Sequence, residues 1–241
     1  MNVSGAGIAG VVSAFVRQAP VEQPSLSMLQ DRVRPGEFKG ITALVVGGSR
    51  GLGALTAKLL AAGGANVIVT YRRGAIEAQA VVTEIGEEQA QLLALDVLDN
   101  PATQLKGLNC KLDQMYYFAT PVIARGKGAF SPKLFVEFCS YYIEGFENTV
   151  IAALAHAKVD LHAFYASTTY IEERPKGMLE YAMAKAAGEL LCADLPKQQR
   201  HLRTVSRRLP RLLTDQTATV IPSKIGDSVF ELLLAIRAMS V

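Results

Sequence analysis

From Ile41 onward, short runs of β-branched and aliphatic residues alternate with stretches whose apolar positions recur at helical spacing. The runs "ITALVVG", "ANVIVTY", "QAQLLALD", "LDQMYYFA", "DLHAFYAS" and "LRTVSRR" predict strands. Between them, "LGALTAKLLAAGG", "AIEAQAVVTEIG", residues 132–157 and the segment around Tyr181 predict helices. Strands that alternate with helices join through right-handed crossovers, giving a parallel sheet covered on both faces. The expected fold is therefore doubly wound α/β, a Rossmann-like single main domain over residues 41–241. Residues 1–40 break the pattern. A short apolar segment leads into "RQAPVEQPSLSMLQDRVRPGEFKG", with three prolines and few aliphatics, which predicts an N-terminal appendage or linker.

Composition narrows the class. Half of the 241 residues are apolar and a fifth are charged, as suits one sizeable core. The formal charge of +3 comes with no basic stripe, so nucleic acid is not an expected partner. Cys110, Cys139 and Cys192 are widely spaced and show neither a disulfide framework nor zinc-ligand spacing. No stretch reaches the roughly 18 uninterrupted apolar residues of a membrane span. The expectation is a cytoplasmic protein acting on small molecules, without metal or membrane.

The chemistry begins where the first strand ends, in "VVGGSRGLGALTAKLL". Gly47, Gly51 and Gly53 fall where a backbone must turn tightly and let a bound group approach, and a helix opens immediately after them. Free backbone N–H groups and the helix dipole favour anionic oxygens there, so a dinucleotide pyrophosphate is the expected ligand. Ser49, Arg50 and Leu52 share that loop. The second strand ends in "VTYRRG", with Arg72 and Arg73 where an NAD site usually has an acid for the ribose hydroxyls. With Arg50 they offer guanidinium forks for a 2′-phosphate, which makes NADP(H) the expected cofactor.

The glycine loop, Asp96 after the third strand, and Tyr181 with Lys185 one helical turn on together resemble the short-chain dehydrogenase/reductase family over about residues 41–215. The resemblance implies an NADPH-dependent carbonyl reductase, or its reverse as an alcohol dehydrogenase. Tyr181 would be the general acid, and Lys185 would bind the ribose and lower the phenol's pKa. A serine about a dozen residues before the tyrosine would orient the carbonyl. Ser167 lies 14 residues before Tyr181 and Thr168 lies 13, so spacing leaves both open, and Ser167 is favoured because it follows the strand directly. Asp96 would accept from the adenine amino group, with Val97 beside it, while Ala119, Pro210 and Thr214 would border the nicotinamide.

Three departures from the family stand out. The Asn-Asn-Ala-Gly stretch usual after the fourth strand is "YYFATPVIARG" here, keeping only Ala119. The asparagine common in the following helix, which relays protons to the lysine, is replaced by Tyr142 in "SYYIEGFENTV". Arg211 stands where glycine is usual. The "FATP" loop and "ERPKGMLEYAMAKAAGE" also resemble reductase modules that occur beside dehydratase domains, so a β-ketoacyl thioester, small or carrier-bound, is a candidate substrate. A catalytically weak or inactive NADP-binding sensor is the alternative, and a sugar-nucleotide epimerase-like enzyme is third. In this family the helices at 132–157 and 178–193 often pair across a two-fold axis, which implies a homodimer or homotetramer.

Overall fold

The computed structural model describes residues 23–123, 129–212 and 227–239. Its centre is a sheet of six parallel strands, β1 (Thr42–Val46), β2 (Asn66–Tyr71), β3 (Ala90–Ala94), β4 (Leu112–Tyr117), β5 (Ala157–Thr168) and β6 (Leu202–Leu209), in the order β3-β2-β1-β4-β5-β6. The order reverses beside β1, so the carboxyl ends of β1 and β4 diverge and open a crevice, where ligands bind in sheets of this kind. This is the doubly wound α/β fold that the alternating pattern predicts. Among the described residues, no helix is long and apolar enough to cross a membrane.

Helices cover both faces. On one side lie α1 (Leu26–Gln30), α2 (Gly51–Ala62), α3 (Ala75–Ile85) and α9 (Ser228–Ala238), which bury Leu29, Leu59, Leu60, Val82 and Leu232 against Val45, Val69 and Phe164. On the other lie α5 (Pro132–Cys139), a π-helical turn (Ser140–Gly145), α6 (Phe146–Leu154) and α8 (Leu179–Gln198), packing Phe138, Tyr142, Phe146 and Leu195 on Leu44, Met115 and Tyr165. Two short helices, α4 (Pro101–Gln104) and α7 (Tyr170–Glu173), close loops. The single helix expected over 132–157 is thus interrupted by a wider turn. Ser131 starts it, accepting from the Leu134 N–H ahead of Pro132, a residue whose fixed φ suits a first helical position.

Helix α8 approaches β5 closely because Gly188 has no side chain. A Cβ there would stand 2.1 Å from the Tyr165 hydroxyl and 3.0 Å from the Tyr142 carbonyl oxygen. Tyr165 is itself buried, and its hydroxyl has no hydrogen-bond partner among the described residues.

The segment expected as an appendage contributes to this packing. Residues 1–22 lie outside the described residues, but Leu29, Val33 and Phe38 are buried in the same cluster as α2. The Phe38 ring fills the space beside Gly63, where a Cβ would come within 2.3 Å of it. Glu37 accepts from Arg237 of α9 at 2.7 and 3.2 Å, which holds its carboxyl well below the usual range, at about 2. The packed structure therefore begins before Ile41. Replacing Phe38 by Ala is expected to cost about 3–5 kcal/mol, the usual penalty for truncating a buried phenylalanine. Urea denaturation checks this, and a change under 1 kcal/mol would mean that the segment is only laid against the domain.

Candidate active site

The strand-to-helix turn after β1 depends on two glycines. Gly47 and Gly51 have φ of +77° and +57°, in the left-handed region that favours glycine. At Gly53, in the first turn of α2, a Cβ would lie 2.2 Å from the Gly47 carbonyl oxygen. The helix start is thus pressed onto the turn, and no side chain caps it at Arg50. Its first N–H groups remain available to an anionic ligand, and the helix dipole adds to their attraction.

This turn borders a cavity of about 540 Å³ at the carboxyl ends of the strands. Gly47, Ser49, Arg50, Gly51, Leu52 and Gly53 line it at one end, with Arg72, Arg73 and Val97. Ala119, Ser167, Tyr181, Lys185 and Pro210 line the remainder. Asp96 is not among the lining residues, and Thr214 lies outside the described residues. The glycine turn and the end of β2 come close together: a Cβ on Gly74 would be 3.0 Å from the Ser49 hydroxyl and 3.1 Å from an Arg50 guanidinium nitrogen.

The charged groups at this end also pair with one another. Asp96 Oδ2 pairs with Arg72 Nε at 2.6 Å, while Oδ1 accepts from the Leu98 N–H at 3.0 Å. Arg72 in turn donates to the Tyr141 hydroxyl at 2.5 Å, and Arg50 pairs with Glu77 at 3.1 Å. Arg73 lines the cavity beside them, so it joins Arg50 and Arg72 at the wall expected to meet a phosphate.

At the other end, Tyr181 and Lys185 share one face of α8, as residues four apart must. The Tyr181 ring meets Phe138, Tyr142 and Tyr170 edge-on at 5.6, 5.6 and 6.2 Å. Thr168 lies beside the phenol, and its hydroxyl accepts from the Tyr170 N–H at 3.2 Å. Ser167 is engaged elsewhere, donating to Glu189 Oε1 at 2.5 Å. Arg208 of β6 clamps that carboxylate with bonds of 2.8 and 2.6 Å and holds it below the usual range, so β5, β6 and α8 are tied together through it. Thr168 and Ser167 thus both line the cavity, the first beside the phenol and the second bound to Glu189.

Lys185 is 6% exposed. Its ammonium donates to the Ala166 carbonyl at 2.6 Å, and it stands 3.9 Å from the Tyr142 ring centroid and 4.8 Å from that of Tyr165. Burial pulls its pKa down to about 7. Burial also pushes the Tyr181 phenol up to about 12, with the neighbouring Thr168 opposing. The phenol is consequently protonated throughout the neutral range.

Tyr141, Tyr142, Thr120, Tyr170 and Met178 also line the cavity. Only Tyr142 and Thr168 among the residues that matter here carried a signal in the sequence, the first by alignment with an asparagine and the second by its spacing from Tyr181.

Comparison with known proteins points the same way. Residues 41–109 match the family model for short chain dehydrogenases. Over 61 residues the chain is 39% identical to the short chain dehydrogenase claC of Passalora fulva, an alignment spanning 25% of this chain and 23% of that protein. A short chain dehydrogenase from Burkholderia cenocepacia, solved in complex with NADP, superposes with a TM-score of 0.71 at 24% identity, covering 84% of this chain and 91% of the other. The angucycline C-6 ketoreductase LanV, solved with bound NADP, gives 0.61 at 22% identity over 72% and 73% of the two chains. A short chain dehydrogenase from Salmonella enterica gives 0.74 at 19% identity over 90% and 93%. At such identities the likeness is one of fold.

The glycine contact yields a test. Gly53→Ala is expected to destabilise the protein by about 1–3 kcal/mol, the range for overpacking, because the backbone of Gly47 must move. Thermal denaturation beside an NADPH titration would check it; unchanged stability and unchanged binding together would refute the close contact.

Proposed function

We propose that the chain, whose residues 41–109 match the family model for short chain dehydrogenases, is an NADPH-dependent carbonyl reductase of that family, or in reverse an alcohol dehydrogenase. The observation that carries this reading is that the glycine turn, the arginines after β2, Thr168, Tyr181 and Lys185 all open on one cavity. The cofactor fits the cradle: the space a Cβ at Gly53 would need is already taken by the Gly47 carbonyl, and the uncapped start of α2 and the guanidinium groups are suited to phosphates. Bound there, NADPH would supply the hydride.

The chain's own residues handle the proton and the orientation. Tyr181 carries a proton at neutral pH and gives it to the carbonyl oxygen. Thr168, beside the phenol, aims that oxygen, while the Ser167–Glu189–Arg208 clamp fixes the strand end that presents Thr168. Lys185 supplies the positive charge that opposes charge build-up on the phenol once its proton has left. A ketone, with a β-ketoacyl thioester as the narrower choice, is the proposed substrate class. The proposed assembly is a homodimer or homotetramer, supported by exposed Val136 on α5 and by Leu179, Met183 and Leu190 on α8. The second reading, a nucleotide-binding protein without turnover, is favoured by one observation: Tyr142 covers Lys185 where the family commonly has a relaying asparagine.

Two measurements separate these readings. Tyr181→Phe is expected to lower kcat for ketone reduction by about 10²–10⁴-fold, the usual worth of a general acid. Thr168→Ala is expected to cost about 10²-fold or more, as for a lost oxyanion donor, and Ser167→Ala far less. NADPH binding without turnover in the wild type would favour the second reading. For the cofactor, Arg73→Asp is expected to weaken NADPH by about 10-fold or more, the worth of one charge-assisted hydrogen bond, and NADH little. Equal losses for both nucleotides would remove the phosphate assignment.

A further inference from the structure

The π-helical turn Ser140–Gly145 places the Tyr142 ring face against the Lys185 ammonium, 3.9 Å from ring centroid to nitrogen. Such turns add a residue to a helix and often mark functional positions. The ring is held on several sides. It stacks on Phe138 at 5.8 Å and 14°, meets Tyr181 edge-on, and its hydroxyl shares a 2.5 Å hydrogen bond with Thr120. The hydroxyl is thus occupied away from the lysine, and the π face is what the ammonium meets.

An ammonium has three protons to place. Ala166 O accepts one, and the rings of Tyr142 and Tyr165 face the nitrogen otherwise. The other titratable groups around it are Glu189, Cys192 and Tyr181 on α8. Glu189 is already bound by Arg208 and Ser167, and burial pushes the Cys192 thiol up to about 12, so it is neutral. Tyr165 and Tyr142 are likewise held neutral by burial.

From this geometry we infer that Tyr142 is a positioning residue whose ring, through a cation–π contact, holds Lys185 in place and charged, in the position where the family commonly has an asparagine. The inference rests on the proposed reductase only in its consequence for turnover; the contact itself is a property of this chain. A desolvated ring of this kind is among the stronger examples of the interaction.

The test replaces Tyr142 by phenylalanine and then by phenylalanines bearing one, two and three ring fluorines, which drain the π face while scarcely changing its shape. Lys185 is followed by NMR of isotope-labelled lysine side chains, assigned with Lys185→Met, and kcat and KM are measured in parallel. Tyr142→Phe is expected to preserve the Lys185 pKa and kcat. The fluorine series is expected to lower the pKa stepwise, about tenfold in proton affinity by the third fluorine, with kcat falling in step and KM for the ketone little changed. A pKa indifferent to fluorine would overturn the inference, as would a full loss already in Tyr142→Phe, which would assign the role to the hydroxyl. If the wild type reduces no ketone while the pKa still follows the series, the reductase reading fails and the ring's role stands.

Discussion

A cation buried between a sheet and a helix is costly, and the way Lys185 is accommodated organises the catalytic half of this molecule. Lys185 is largely buried by β5, the π-helical turn and α8, so the ammonium finds most of its partners inside the protein. It has a strand-end carbonyl and two aromatic faces. Those partners in turn dictate the surroundings. Tyr142 requires the wider turn that interrupts the helix, Tyr165 requires a glycine on α8, and the strand end at Ala166 must be immobile enough to serve as acceptor. The clamp of Glu189 by Arg208 and Ser167 supplies that immobility from the outer side.

The cavity consequently has two ends of different character. At the glycine turn the contacts are backbone N–H groups and exposed guanidinium groups, suited to a highly charged ligand. At α8 they are a phenol, a hydroxyl and a shielded ammonium, in a setting where each group's protonation is set mainly by burial. The π-helical turn touches both ends, since Tyr141 accepts from Arg72 and its neighbour Tyr142 covers Lys185. Six residues therefore join the wall expected to meet a 2′-phosphate to the residue expected to serve the reaction.

The alternation of apolar runs was enough to predict the parallel, doubly wound sheet, because parallel strands buried on both faces read as continuous aliphatic stretches. The glycine turn was legible for a similar reason, since positive φ and close backbone approach leave few residue types to choose from. The pairing of Arg72 with Asp96 was not, because ion pairing depends on side-chain reach across two strands, which spacing does not encode. Ser167 and Thr168 are adjacent in sequence and both line the cavity, so their spacing from Tyr181 does not separate them. The role of residues 24–40 escaped a reading based on periodicity, since Leu29, Val33 and Phe38 are single anchors in a segment of turns and one short helix.

The missing side chain at Gly188 has a consequence for any attempt to make this protein hardier. Glycine inside a 20-residue helix forfeits about 1 kcal/mol relative to alanine, and such positions are the first that an engineer would fill. Here the vacancy is already claimed by a neighbouring aromatic whose oxygen lies sealed in the interior. The familiar improvement would wedge the helix off the sheet and drag the lysine with it, so heat resistance and chemistry are set against each other at this one position.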